Sequence, residues 1–333
     1  MPWRRARGPY RIWLSEIMLQ QTRVDSVVGY YRRFLRAFPS VRALAAASED
    51  AVLKQWEGLG YYSRARNLHE AARRIVHERG GRFPRTAEAW GKLPGVGRYT
   101  AGAIASIAFG QRVAAVDGNV QRVLARLYGL EGCIDEAATQ NELWALADAL
   151  VPPTAPGDFN QSLMELGARI CTPTQPDCAH CPVRRWCEAL AAGRQHTLPV
   201  RRPKKRIPHY HVVAGAIRKA GRYLLVKRPP DGMLGGLWEF PGGRLADGQS
   251  RRRFLADRIS EKLGIDVEVG RRVGSVDHAY SHFRITLHLY RCEYVAGRCR
   301  TTTYPQAKWI PPAHFSRYPS PTAHLKVLDR LRD

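Results

Sequence analysis

Leu93-Pro94-Gly95-Val96-Gly97-Arg98-Tyr99-Thr100, continued through AGAIASIAFGQRVAA to Val116-Asp117-Gly118-Asn119-Val120, decides how the rest of the chain is read. The paired glycines mark a tight turn, because glycine tolerates positive φ and the close approach of another backbone. The segment before it, Ala87 to Leu93, reads as helix. Small residues from Thr100 to Ser106 suit a helix packed close against its neighbours. Asp117-Gly118-Asn119 then breaks the pattern before a further helical run, Val120 to Tyr128. Helix, Gly-Val-Gly turn and helix together read as a helix-hairpin-helix. Backbone N–H groups at the second helix's N-terminus, Gly95, Val96 and Gly97 among them, can hold a phosphate. An ordinary helix–helix connection with glycine caps gives the same local pattern, so the stretch draws its weight from what surrounds it.

The chain has 333 residues, room for two domains with their own cores. Lys and Arg number 53 against 29 Asp and Glu, a formal net charge of +24. A surplus so one-sided exceeds what solubility asks and favours a polyanionic partner through phosphate neutralisation and counterion release. No stretch of about 18 apolar residues occurs, so no transmembrane helix is expected. The opening MPWRRARGPY lacks the apolar core of a signal peptide. The expected location is intracellular and cytoplasmic, with the seven cysteines reduced unless they bind metal.

Upstream of the hairpin, Pro9 to Val28 reads as one helix. On it Glu16 neighbours Ile12, Trp13, Leu19 and Gln20, three of them apolar. A carboxyl so placed loses solvation, which raises its pKa and suits it to deliver a proton near neutral pH. The plainer alternative is a surface Glu at the core's edge. Helical segments follow at Val24 to Ala37, Val41 to Ala47 and Glu49 to Trp56. Gly58-Leu59-Gly60-Tyr61-Tyr62-Ser63 is a turn bearing two aromatics, and Arg64 to Arg79 an amphipathic helix with a basic face. Aromatics beside Arg suit nucleic acid or core packing. Asp117 is the second carboxylate of interest. It can cap the following helix, but Asn119 can cap it too and leave Asp117 free for chemistry. Asn141 to Leu150 and Phe159 to Ile170 read as helices, with Glu165 off the apolar stripe of the second.

Cys171, Cys178, Cys181 and Cys187 form C-x6-C-x2-C-x5-C. Four thiolates in one short segment of an intracellular protein point to a metal site rather than disulfides. Tetrahedral sulfur suits zinc and an iron–sulfur cluster equally. Cys133, Cys292 and Cys299 show no ligand spacing and read as ordinary thiols. Gln195 to Pro208, with the basic run Arg201 to Arg206, reads as a semi-extended linker. Beyond it the pattern becomes strand-like. Strands are expected at His211 to Arg218, Arg222 to Arg228, Val267 to Val276, Phe283 to Tyr294 and Ala307 to Ile310. Helices are expected at Ser250 to Leu263 and Pro321 to Leu331, which makes a separate α+β domain.

The stretches PWRRARGPYRIWLSEIMLQQT, GLGYYSRARNLH, LPGVGRYTAGAI, VDGNV, FNQSLMELGARIC and the cysteine loop run in order from Pro2 to Cys187. Together they resemble the helix-hairpin-helix DNA glycosylases and, within them, the MutY family of adenine glycosylases. The resemblance implies a multidomain chain. Residues 1–194 would be an all-α helix-hairpin-helix domain, two helical lobes with the substrate base entering between them. Its loop 171–187 would carry a [4Fe–4S] cluster on the four cysteines, which resolves the zinc ambiguity. After a linker at 195–208, residues 209–333 resemble the family's Nudix/MutT-like domain, which senses 8-oxoguanine through a short loop matched here by Tyr280-Ser281-His282. The Nudix pattern G-x5-E-x7-R-E-U-x-E-E-x-G-U, laid from Gly243, finds Gln249, Asp257-Arg258 and Lys262 where Glu, Arg-Glu and the second paired Glu belong. With only Glu261 left of the paired glutamates, a Mg²⁺ site for pyrophosphate cleavage is not expected.

The implied activity is hydrolytic removal of adenine mispaired with 8-oxoguanine or G in duplex DNA, by a monomer that leaves an abasic site. By resemblance Glu16 protonates the base and Asp117 faces the sugar cation, with Tyr99 and Asn119 orienting them. Trp3, Arg4 and Glu165 match the adenine pocket, and Leu19, Gln21 and Tyr61 match residues that enter the duplex. An endonuclease III-like lyase has Lys in LPGVGRKTA as its imine-forming nucleophile, whereas this chain has Tyr99. A non-catalytic DNA-binding module would need neither Glu16 nor Asp117, and a Nudix hydrolase would need the missing glutamates.

Overall fold

The computed structural model describes residues 1–4, 8–203, 206–328 and 331. Two members of the basic linker run, Lys204 and Lys205, and residues 329–330 of the expected last helix lie outside the described residues. Two compact units emerge: Met1–Ala45 with Glu70–Lys204, and Ala46–His69 with Lys205–Asp333.

In chain order the helices are α1 (Pro9–Leu19), α2 (Val24–Ala37), α3 (Val41–Ala46), α4 (Glu49–Trp56), α5 (Ser63–Arg79), α6 (Ala87–Gly91), α7 (Arg98–Phe109), α8 (Gly118–Leu127), α9 (Ala137–Leu150), α10 (Pro156–Arg169) and α11 (Glu188–Ala191). In the first unit α7 is the centre, packed against α1, α6 and α10, while α8 lies on α9, α10 and α11. The small residues of α7 are there for closeness. A Cβ added at Gly102 would stand 2.1 Å from the Ala114 carbonyl oxygen, so the strand-like stretch before Asp117 lies directly on α7. Val116, Val120, Leu124, Leu143 and Met164 close the core around it.

Two expectations need correcting here. The helix read from Pro9 to Val28 is two helices, because Gln21 takes φ +56 and the chain turns between Leu19 and Val24. A side-chain bond from Gln20 Nε2 to Thr100 Oγ1 (3.2 Å) supports the turn. The cap of α8 is Asp117, not Asn119: its side chain accepts from Asn119 N (2.9 Å) and Val120 N (2.8 Å). Asp117 has extended backbone, φ −94 and ψ −179, and helix begins at Gly118.

The second unit is built on one mixed sheet of β1 (His209–Lys219), β2 (Arg222–Lys227), β3 (Trp238–Glu239), β4 (Gly242–Arg244), β5 (Ile265–Ala279), β6 (Arg284–Gly297) and β7 (Gln306–Ile310). β1 runs parallel to β6, and the remaining pairs are antiparallel. Alternation along the central strands divides the core in two. Val213, Ile217, Leu224 and Val226 face α12 (Arg251–Leu263) through Leu255, Ile259 and Leu263. Ala214, Ala216, Tyr223 and Leu225 face α13 (Thr322–Leu328) through Ala323 and Val327. β3 and β4 were not read from the sequence, because two- and three-residue strands around Pro241 and two glycines carry no alternation. Among the described residues no helix is long and apolar enough to cross a membrane.

Candidate active site

The end of α1, the start of α7, the N-terminus of α8 and α10 surround a cavity of about 500 Å³ in the first unit. Glu16 reaches it from a helix face made of Ile12 and Trp13, both buried, and is itself only 7% exposed. Tyr99 Oη donates to Glu16 Oε2 at 2.6 Å. Burial pushes the Glu16 carboxyl up, the Tyr99 bond and Arg4 pull it down, and Asp117 adds to the rise. Tyr99 is pushed well above its ordinary value by burial and by the two carboxylates, so it stays a donor. With Oε2 occupied by Tyr99, Oε1 is the oxygen that can carry a proton toward a ligand.

Asp117 lines the same cavity. Besides its two backbone bonds it accepts from Asn119 Nδ2 at 2.9 Å. Asn119 Oδ1 in turn accepts from Arg122 Nη2 at 2.9 Å, which fixes the amide's orientation. α10 approaches without a side chain at Gly167, where an added Cβ would lie 2.7 Å from Asn119 Cβ. Of the other expected residues, Trp3, Arg4, Leu19, Gln21 and Glu165 line this cavity. Trp3 stacks edge-on against Tyr31 at 5.3 Å, Arg4 donates to Gln161 Oε1, and Glu165 pairs with Arg169 at 3.3 Å.

The cysteine loop leaves α10. Its partners on α8 were missed by sequence reasoning. Arg122 Nε donates to the Cys171 carbonyl at 2.7 Å, and Arg122 Nη2 to the Gly167 carbonyl at 2.6 Å. Arg126, 2% exposed, gives its hydrogen bonds to the Leu198, Thr172 and Pro173 carbonyls and to Cys171 Sγ at 3.3 Å. The signal in the sequence was two arginines a helical turn apart, Arg122 and Arg126, among the apolar residues of α8. All seven cysteines are free of disulfides. Among the described residues no three His, Cys, Asp or Glu are gathered tightly enough to clasp a single ion. Two of the four cysteines meet at Arg126, where Cys171 Sγ accepts from Nη1 at 3.3 Å and Cys187 Sγ donates to the carbonyl at 3.4 Å, and Cys181 N donates to the Cys178 carbonyl at 3.4 Å.

At the hairpin the N–H groups of α7's first turn have no intrahelical acceptor by construction. Gly95 takes φ +75, whereas Gly97 is an extended N-cap. The second unit has its own cavity of about 440 Å³, between the Gly58–Ser63 turn and the β5–β6 hairpin. Tyr280 N donates to the Phe283 carbonyl at 2.8 Å, so Ser281 and His282 form the hairpin tip. Tyr61, at φ +49, donates through its hydroxyl to Ser281 Oγ.

A helix-hairpin-helix core with two carboxylates on one cavity, joined to a Nudix-type sheet, defines a base-excision type of enzyme. Residues 14–149 match the HhH-GPD superfamily of base excision DNA repair proteins, and residues 212–330 match the NUDIX domain. The adenine DNA glycosylases of Rattus norvegicus and Homo sapiens are 39% and 38% identical, each over 98% of this chain and over 74% and 70% of their own. A thermostable thymine-DNA glycosylase of known structure has TM-score 0.52 at 34% identity, covering 58% of this chain and 88% of its own. The chain belongs to the adenine DNA glycosylase family.

Proposed function

We propose that this DNA glycosylase hydrolyses the N-glycosidic bond of adenine opposite 8-oxoguanine, or G, in duplex DNA and leaves an intact abasic site. The observation that carries the reading is the buried Glu16, held by Tyr99 in the cavity that Asp117 also lines. The base must leave the helix to be reached. Cleavage makes a poor leaving group and an oxocarbenium-like sugar, so the reaction needs an acid for the base and a negative charge beside the sugar. Glu16, its carboxyl raised by burial, gives the base its proton from Oε1 and afterwards handles the proton of the attacking water. Asp117, held by three N–H donors, keeps its charge directed at the sugar cation. Trp3, Arg4 and Glu165 hold adenine, while Leu19, Gln21 and Tyr61 enter the duplex. At the hairpin the N–H groups of Gly95 and Gly97 take a backbone phosphate, while the Val96 N–H, expected to join them, donates to the Leu93 carbonyl at 3.2 Å and holds the turn. Tyr280, Ser281 and His282 read 8-oxoguanine. The sequence domains we propose are 1–194 and 209–333 across the linker 195–208, with the segment Ala46–His69 of the first packing into the unit of the second.

Four unbridged thiols in one short loop are a donor set that fits a [4Fe–4S] cluster, which Cys171, Cys178, Cys181 and Cys187 would hold. Such a cluster would cross-link these thiolates, while Arg122 and Arg126 themselves anchor the start of the loop to α8. Protein made anaerobically should be brown with roughly four irons per chain, and Cys178→Ser should lose the iron. Stoichiometric zinc without iron would overturn that assignment.

Tyr99 favours hydrolysis over β-elimination, because a phenol cannot form the imine that a lysine forms. The test is cleavage of duplexes carrying A opposite 8-oxoG, G, T or C, with and without alkali. Strand breaks should need alkali. Strong nicking without it would favour a lyase.

A further inference from the structure

Ala46–His69 packs in one unit with the sheet, and its charged side chains reach the strands and their loops. Asp50, on α4, makes the closest of the strand contacts. Lys227 of β2 and Trp238 of β3 are direct cross-strand partners. Lys227 Nζ donates to Asp50 Oδ1 at 2.7 Å, and Trp238 Nε1 donates to Asp50 Oδ2 at 3.2 Å. The two strands thus present a fork of donors, and one carboxylate takes both prongs. Trp238 is fully buried, so the loss of this acceptor would cost its N–H a partner that water could not easily replace.

From Asp50 the path to the Gly58–Ser63 turn is stiff. α4 ends at Trp56, whose Nε1 donates to the Gly60 carbonyl at 3.1 Å. Arg64 Nη2 donates to the same carbonyl at 3.1 Å, and Gly58 N donates to Tyr62 Oη at 3.1 Å. On either side of the turn further bonds run to the second unit's loops. Glu57 accepts from Ser320 N at 2.8 Å, and Arg66 donates to the Pro230 carbonyl at 2.9 Å and to the Gly235 carbonyl. Glu57 and Arg66 hold loops, whereas Asp50 holds the strands β2 and β3. Within the turn Tyr61 keeps φ +49 and donates to Ser281 Oγ. A residue with a Cβ stays in left-handed backbone only where its surroundings over-determine it.

We propose that Asp50 is a positioning residue for mispair choice: by fixing α4 to β2 and β3 it sets Tyr61 against Ser281 at the hairpin tip. This role rests on the reading of that tip as the part that senses 8-oxoguanine. Asp50 lines neither the catalytic cavity nor the one at the tip, so it acts through the placement of Tyr61.

The test is single-turnover base release from A·8-oxoG and A·G duplexes by full-length variants. Asp50→Ala should lower the preference for A·8-oxoG at least about threefold and at most about a hundredfold, the cost of misplacement by an ångström, with the A·G rate within about twofold of wild type. Asp50→Asn keeps an acceptor for Trp238 and loses the ion pair, and Lys227→Met removes the same pair from the other side. Both should give smaller losses in the same direction. Neither strands the buried indole N–H, which keeps a folding defect from imitating the effect. Asp50→Ala combined with Ser281→Ala should lose less than the product of the two single losses, because both act on one contact. A full product would mean a separate route and overturn the proposal. Equal slowing on both duplexes would make Asp50 merely structural and overturn it too. So would an unchanged ratio in Asp50→Ala where Ser281→Ala with His282→Ala lowers it. If the Ser281 and His282 variants also leave the ratio unchanged, the reading of the tip falls and this role with it.

Discussion

Glu16 is a carboxyl surrounded by Ile12, Trp13 and Tyr99, and its two tasks oppose one another. Burial raises its pKa, which arms it as an acid. By linkage, a carboxyl whose folded pKa exceeds its unfolded value adds stability below the unfolded pKa, and that contribution is lost as pH rises through the folded pKa. Glu16→Gln has nearly the same size and no charge. It should therefore melt higher than wild type at neutral and alkaline pH, with the gap closing toward acid. It should release adenine about 10²–10⁴-fold more slowly. A melting difference that stays constant across pH would count against a buried carboxyl. Asp117 separates differently, because it is both charge and cap. Asn ranks with Asp as an N-cap, so Asp117→Asn should keep the melting temperature and lose base release. Asp117→Ala should lose base release and also about 1 kcal/mol of stability. The sequence could not assign the cap, since Asp and Asn two residues apart satisfy the same preference. The backbone at Gly118 decides it, and no pattern of side chains records that. The apolar surroundings of Glu16 were legible, because a helix fixes which residues lie three and four away.

At the scale of elements, what was legible follows the length and period of each segment. α4 falls where its apolar spacing predicts, and α12 within a residue of it. Strands β1, β2 and β6 also fall near their expected places, and β5 runs two residues earlier and three later than expected. The break after Leu19 was hidden because Gln20, Gln21 and Thr22 include no glycine or proline. The positive φ of Gln21 is imposed by the fold around it. The hairpin turn was seen, but its two glycines are unequal in a way that the motif does not reveal. Gly95 needs left-handed backbone, whereas Gly97 has ordinary extended backbone and open space where a Cβ would go. Gly95→Ala should thus destabilise by about 1–2 kcal/mol, the cost of left-handed backbone for a residue with Cβ. Gly97→Ala should change stability by no more than about 0.5 kcal/mol. Thermal melts of the two variants side by side would decide, and equal losses would mean that the second glycine is structural after all. If Gly97→Ala instead weakens DNA binding with an unchanged melt, the open space at Gly97 is where the phosphate approaches.

Across the whole molecule, two cavities with separate chemistry lie in separately packed units. One has the carboxylates Glu16 and Asp117, and the other has Tyr61, Ser281 and His282 around a hairpin tip. The departures from the Nudix pattern at Gln249, Arg258 and Lys262 can be read directly from the sequence. The inclusion of Ala46–His69 with the sheet cannot, because packing between distant segments leaves no local period. That inclusion gives Tyr61 and Ser281 a shared hydrogen bond. Chemistry and mispair choice should then be separable by mutation. Ser281→Ala with His282→Ala removes polar groups that could read a base edge, and it touches neither Glu16 nor Asp117. A site built to hydrogen-bond one base discriminates by leaving its polar groups unpaired against another. The double variant should lower the single-turnover preference for A·8-oxoG over A·G, mostly by slowing the former, while the A·G rate stays within about threefold of wild type. Each lost neutral hydrogen bond is worth about 0.5–1.5 kcal/mol, so the ratio should fall between a few-fold and about a hundredfold. Tyr61→Phe, which removes only the partner of Ser281, should move the ratio the same way and by less. A ratio unchanged in both variants would sever the hairpin tip from mispair choice and leave discrimination to the first unit.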